Sequence, residues 1–191
     1  LKAIVKMTKI IEALEKWAER FEEQYIYNSP TGPIYPKVNI GAIEGGAPYR
    51  PNYFPGVCSI YVDIRTPPQV RPVTVQHEIT SALSTLDFEY EMEPYKSLLG
   101  HEGKGVEPLV QSLEEIHQFL FNQKLKPEAP DRASIWTDTN VYNELGIPAV
   151  KIGPRGKRIG PRAEEINIDE MVKAAQLYAL VALDICSRER K

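Results

Sequence analysis

The chain has 191 residues, 42% hydrophobic and 26% charged, with a net charge of -3 at pH 7. That length and balance fit one ordinary domain or two small ones with a buried core. The charge excludes a phosphate-binding footprint, so nucleic acid is not an expected partner. No window reaches the roughly 20 apolar residues of a membrane span and no signal-peptide pattern opens the chain. No membrane is expected, and the cytoplasm is the expected compartment. The two cysteines, Cys58 and Cys186, have neither CxxC spacing nor a disulfide framework and read as small buried hydrophobes.

Residues 3 to 24 place Ile4, Met7, Ile11, Leu14, Trp17, Ala18 and Phe21 on one stripe, which predicts an amphipathic helix. "NSPTGPIYP" is a Pro/Gly-punctuated turn. Val38, Ile40 and Ala42 then alternate with Asn39, Gly41 and Ile43 as a strand. A second strand has Cys58, Ile60, Val62 and Ile64 on one face and Ser59, Tyr61, Asp63 and Arg65 on the other. A helix follows Pro72 with Val75, Ile79, Leu83 and Leu86 inward. Phe88, Tyr90 and Met92 alternate with Glu89, Glu91 and Glu93 as a last strand with one wet face. Helix, strand, strand, helix, strand is a ferredoxin-like βαββαβ unit lacking its first strand, which is expected upstream of Leu1 or from another chain.

From Gly100 the character changes. "GHEGKG" reads as a linker, and Leu109, Leu113, Ile116 and Leu120 define a new helix. "ASIW" is a short buried strand, Thr139 to Leu145 a short helix closed by Gly146, and "PAVKIG" another strand. Lys151 to Arg162 is a short basic stretch read as a solvated loop. Asn167 with Glu170 three residues on is a capping box for the final helix. The expected class is therefore α/β, or α+β, with a ferredoxin-like first domain over 1–104 and an αβαβα run over 105–191.

The three histidines, His77, His101 and His117, fall in no HxD, HExxH or HxH spacing. Glu114 and His117 make one Glu-x-x-His pair, where a di-metal bundle needs two and further carboxylates, so an exposed helix face is the plainer reading. No GxSxG elbow, P-loop or helix-opening GxGxxG occurs. What remains is recognition chemistry. Arg65 offers a planar guanidinium suited to a carboxylate, and Asn52 offers both a donor and an acceptor. The competing reading is a surface Asp63–Arg65 pair with Asn52 in an Asx-turn. Asp138, Thr139 and Asn140 stand at a strand-to-helix junction, either a ligand site or a helix cap. Gly153-Pro154 allows a close backbone approach to a ligand or simply makes a turn.

"GAIEGGAPYRPNYFPGVCSIYVDIR" resembles the lid, or dimerisation, domain of the M20 metallopeptidases, the group of acetylornithine deacetylase, succinyl-diaminopimelate desuccinylase, aminoacylase and carboxypeptidase G2. "TDTNVYNELGIPAVKIGP" resembles that family's second block, and "EEINIDEMVKAAQLYALVAL" its closing helix. The resemblance implies a homodimeric amidohydrolase with a dinuclear zinc site, acting on a small N-acyl amino acid or peptide. Residues 1 to about 104 then correspond to the lid, and 105–191 to the C-terminal part of a zinc-peptidase-like catalytic domain. By the same resemblance Asn52, in Asn-x-x-Pro, and Arg65, in Asp-x-Arg, bind substrate, with Gly153 lining the same pocket; Asp138, from its strand-to-helix position, is a further substrate-binding candidate. The family's HxD pair, bridging Asp and Glu-Glu pair belong to a half this chain does not contain. Glu164 fits the last block, but Gly160 stands where the family has a histidine ligand. The expectation is zinc for the full-length enzyme and none on this chain alone, with a non-catalytic dimerising or ligand-binding module as the alternative.

Overall fold

The computed structural model describes residues 2–127, 136–154, 156–159 and 163–189. Its contacts divide the chain into two units, one of Leu1–Gly100 with Trp136 and one of His101–Pro127 with Thr137–Lys191.

In the first unit, α1 spans Ala3–Gln24 and buries Met7, Ile10, Leu14, Trp17, Ala18 and Phe21 along one stripe. Burying one large apolar side chain contributes about 1.5–3 kcal/mol, so this stripe dominates the helix's stability. Ile4, at the predicted start of the stripe, is exposed. "NSPTGPIYP" is more than a turn: β1 (Tyr27–Ser29) and β2 (Gly32–Ile34) pair as a small antiparallel hairpin. Ser29 Oγ closes it by donating to the Gly32 carbonyl at 2.7 Å.

β3 (Lys37–Gly45) and β4 (Cys58–Arg65) form an antiparallel pair running from Lys37 opposite Arg65 to Gly45 opposite Cys58. The register shifts between Ile40 and Ala42. This bulge at Gly41 moves Ala42 off the inner face predicted for it and sets it opposite exposed Tyr61, while Ile43 comes opposite Ile60. One inserted residue flips every later side chain, because the strand period is two. α2 (Pro72–Leu83) begins with proline near its N-terminus, where no amide donor is needed, and buries Val75, Ile79 and Leu83. Together α1, α2 and the inner face of the β3–β4 pair enclose one core.

Residues 88–92 do not form the predicted strand. Phe88 and Tyr90 still pack on the core while Glu89, Glu91 and Glu93 are exposed, so the alternation is real and the ladder is missing. The sheet holds β3 and β4 alone, and among the described residues no strand lies at the other edge of β4 to bridge the gap. In a ferredoxin-like order the last strand bonds only to the first, so without that neighbour it has nothing to bond to.

In the second unit, α3 (Glu107–Phe121) ends at Asn122 in the left-handed region. The short α4 spans Thr139–Glu144. Gly146 follows with φ 74, its N–H bonded to the Asn143 carbonyl at 3.1 Å, and Ile147 N–H returns to Tyr142 at 2.9 Å. This is a Schellman motif, and the glycine is there because its φ is positive. β5 (Gly156–Ile159) and β6 (Ala163–Ile166) pair as an antiparallel hairpin, β5 inside the stretch read as a solvated loop and β6 just past its end. α5 (Ile168–Ser187) has Asn167 as N-cap, whose side chain accepts from Glu170 N–H at 3.2 Å. The box is half made, because the Glu170 carboxylate pairs with Lys173 at 3.3 Å instead.

Leu113, Leu177 and Val181 pack α3 against α5, with Val150 and Ile152 alongside. "PAVKIG" is thus apolar and inward, but it is not a strand. A buried strand needs neighbours to satisfy its backbone, and this unit offers it none among the described residues. The predicted "ASIW" strand falls outside the described residues except for Trp136, whose indole donates to the Leu99 carbonyl at 3.2 Å.

Candidate functional site

The outer face of the β3–β4 pair carries Lys37 opposite Arg65, Asn39 opposite Asp63, and Ala42 opposite Tyr61. Arg65 Nε donates to Asp63 Oδ2 at 2.9 Å, with both side chains about half exposed. The surface pair anticipated from the sequence is therefore present. It uses only the inner edge of the guanidinium, and the two Nη groups make no hydrogen bond among the described residues. Arg65 is held in place by its neighbour and keeps a free two-pronged donor edge for a carboxylate.

Asn52 lies in the loop joining the two strands. Gly46 opens this loop with φ 76, and bonds from Arg50 N–H to Ala47 and from Tyr53 N–H to Arg50, at 2.9 and 3.0 Å, fold it into two turns. Its far end is tied to the start of α1 by Ala3 N–H to the Pro55 carbonyl, at 3.3 Å. The Asn52 side chain is exposed and makes no hydrogen bond among the described residues, so the Asx-turn reading does not hold. Its amide is free to meet a ligand.

The structure does not bring Asn52 and Arg65 together. Arg65 pairs with Lys37, at the end of the hairpin away from the loop. Cys58 to Arg65 spans seven strand rises, or about 23 Å. α1 gives an independent ruler, because Ala3 touches the loop at Pro55 while Glu22 accepts Val38 N–H at 2.8 Å near the Arg65 end. Nineteen helical rises separate those anchors, roughly 28 Å.

In the second unit Asp138 precedes α4, and its carbonyl accepts from Val141 and Tyr142. Its side chain makes no capping bond and is exposed. Beside it, Asn140 accepts His101 N–H at 2.8 Å and donates to the Thr137 carbonyl at 3.0 Å. The "GHEGKG" segment is therefore pinned to α4 rather than being a free linker. Gly153 is exposed, and the Tyr178 hydroxyl donates to the Ile152 carbonyl beside it at 2.7 Å. A Cβ at Gly153 would stand 3.4 Å from that hydroxyl, so the glycine keeps space open there.

Among the described residues no group of three or more His, Cys, Asp or Glu gathers to hold a metal ion. Gly160 lies outside the described residues, and Glu164 is exposed on β6 opposite Arg158. The described donors do not fit a dinuclear zinc centre. Sequence reasoning passed over one further cluster, in which Glu78 receives hydrogen bonds from Trp17 and Tyr25. The signal was a carboxylate inside the Val75, Ile79, Leu83 stripe of α2.

Residues 2–91 match the family model of the peptidase dimerisation domain, M20_dimer. The match covers α1, both hairpins and α2, the first unit almost entire. It supports membership of the M20 peptidase family and points to self-association through this unit. Among the described residues no helix is long and apolar enough to cross a membrane.

Proposed function

We propose that this chain is part of a metal-dependent M20-type hydrolase with a dinuclear zinc centre, cleaving an amide, peptide or N-acyl bond of a small carboxylate-bearing substrate. This chain supplies substrate-binding and dimerisation elements. The observation that carries the reading is the dimerisation-domain match over 2–91, in a unit that presents an unspent guanidinium edge on an open sheet face. The metal ligands are not among the described residues, so the chemistry assigned to this chain is binding and orientation. Arg65 takes the substrate carboxylate through its Nη pair, with Asp63 fixing the plane through Nε. Asn52 hydrogen-bonds the scissile amide, and in the second unit Gly153 and Asp138 stand as further substrate-binding candidates.

A small N-acyl amino acid cannot reach from Asn52 to Arg65 across most of a hairpin. The two residues therefore meet one substrate from two copies of the chain, which makes self-association part of binding. Titrating N-acetyl amino acids into the protein by calorimetry tests this. Saturable binding weakened at least about tenfold by Arg65→Gln is expected, from loss of a charge-assisted bidentate contact. Equal affinity in the variant would sink the reading.

One observation favours a second reading, a binding or dimerising module without catalysis: Gly160 stands at the position of the family's last histidine ligand. Binding of N-acyl amino acids by the full-length protein without their hydrolysis when zinc is added selects that reading.

A further inference from the structure

A cleft of about 430 Å³ opens between α1 and α2, lined by Trp17, Arg20 and Gln24 from one helix, Glu78 and Ser81 from the other, and Thr85 just past its end. Glu78 Oε2 accepts the Trp17 indole N–H at 3.0 Å, and Oε1 accepts the Tyr25 hydroxyl. Both donors are neutral, and among the described residues no cation pairs with this part-buried carboxylate. A carboxylate has about four acceptor positions, so two remain unfilled among the described residues, on a side chain that lines the cleft. Arg20 lines the same cleft and makes no ion pair or hydrogen bond among the described residues. The Ser81 and Thr85 hydroxyls are likewise without a partner among them.

A carboxylate without a counter-ion and a guanidinium without a partner, sharing one cleft, are complementary to a ligand carrying both charges. We propose that this cleft binds a small zwitterion of the amino-acid class, its ammonium on Glu78 and its carboxylate on Arg20. Trp17, almost fully buried, lines the cleft and fixes Glu78 through its indole N–H. Ser81, Thr85 and Gln24 supply neutral hydrogen-bonding groups along the walls. The hydrogen bond to Glu78 holds the Tyr25 hydroxyl above its ordinary pKa, with burial and the carboxylate's charge adding to it. The site uses no residue of the outer sheet face and stands apart from the peptidase reading.

Calorimetric titration of the protein with glycine, alanine and phenylalanine tests this, with acetate and ethylammonium as carriers of one charge each. The zwitterions are expected to saturate, and each single-charge probe to bind at least about tenfold more weakly. Arg20→Gln, at an exposed position, is expected to lose at least about tenfold in affinity, as is Glu78→Gln. Absence of saturation, indifference to Arg20→Gln, or loss of binding in Arg65→Gln alone would each overturn the proposal. The last result would place the ligand on the sheet face.

Discussion

Ser112 on α3 donates its fully buried hydroxyl to Asp184 Oδ2 on α5 at 2.6 Å. This contact joins two helices far apart in sequence, beside the Leu113, Leu177, Val181 core of the second unit. Ser112→Ala leaves the carboxylate with Arg188 as its remaining partner. The denaturant midpoint of the second unit is expected to fall in this variant, with the slope unchanged. An unchanged midpoint would mean that the hydroxyl contributes nothing to the helix pairing.

The same carboxylate makes stability depend on pH. The Ser112 hydroxyl first, and then Arg188, hold Asp184 below the usual carboxylate range, outweighing the opposing effect of burial. A depressed folded-state pKa gives stability that is fully present above the unfolded value and is lost as pH falls through the folded one. Loss is therefore expected on the acid side of about pH 4, and Asp184→Asn should flatten that part of the profile. Acid titrations followed by circular dichroism, parent against variant, check the sign. Parallel profiles would contradict it.

The half-made capping box separates two roles. Asn167→Ala removes the acceptor for Glu170 N–H and should cost about 1 kcal/mol. Glu170→Ala removes only an exposed pair with Lys173 and should cost no more than about 0.5 kcal/mol. Urea unfolding of both variants reads the difference. Equal losses would show the box to be closed in solution.

Phe21 is fully buried, with its ring centroid 4.7 Å from Trp17 and 5.0 Å from Tyr25. Phe21→Ala should destabilise the first unit by about 3–5 kcal/mol, through lost transfer energy and the cavity left behind. Tryptophan fluorescence in urea measures it, and a loss below about 1 kcal/mol would mean that the core closes over the gap.

Elements whose signal lies in their own residues were legible in the sequence. α1, β4, α2, α3 and α5 carry their apolar period internally, and Gly146 and Asn167 mark helix ends by local chemistry. Pairing is a property of two segments, and there the reading ran out. Residues 88–92 and 148–153 keep apolar positions turned to a core yet form no ladder, because the described residues give them no neighbour. The β5–β6 hairpin was missed although its register sets Lys157 opposite Glu165 and Arg158 opposite Glu164, a mirrored charge pattern that sequence alone could have flagged. Arg65 was placed correctly on the polar face of its strand. Its separation from Asn52 was legible as well, because the strand from Cys58 runs away from the loop and ends at Arg65; the family resemblance, not the strand pattern, had set both residues at one pocket.

That separation gives the most direct test of the central claim, that one substrate site draws on two copies of the chain. Asn52→Ala and Arg65→Gln chains are unfolded together, refolded as an equal mixture, and titrated with an N-acetyl amino acid beside each variant alone. Random pairing makes half the dimers mixed, each with one intact site of two, so the mixture should recover about a quarter of the parent's binding capacity while each variant alone binds almost nothing. A mixture that binds no more than the variants alone would contradict the account and place both residues' contributions within a single chain.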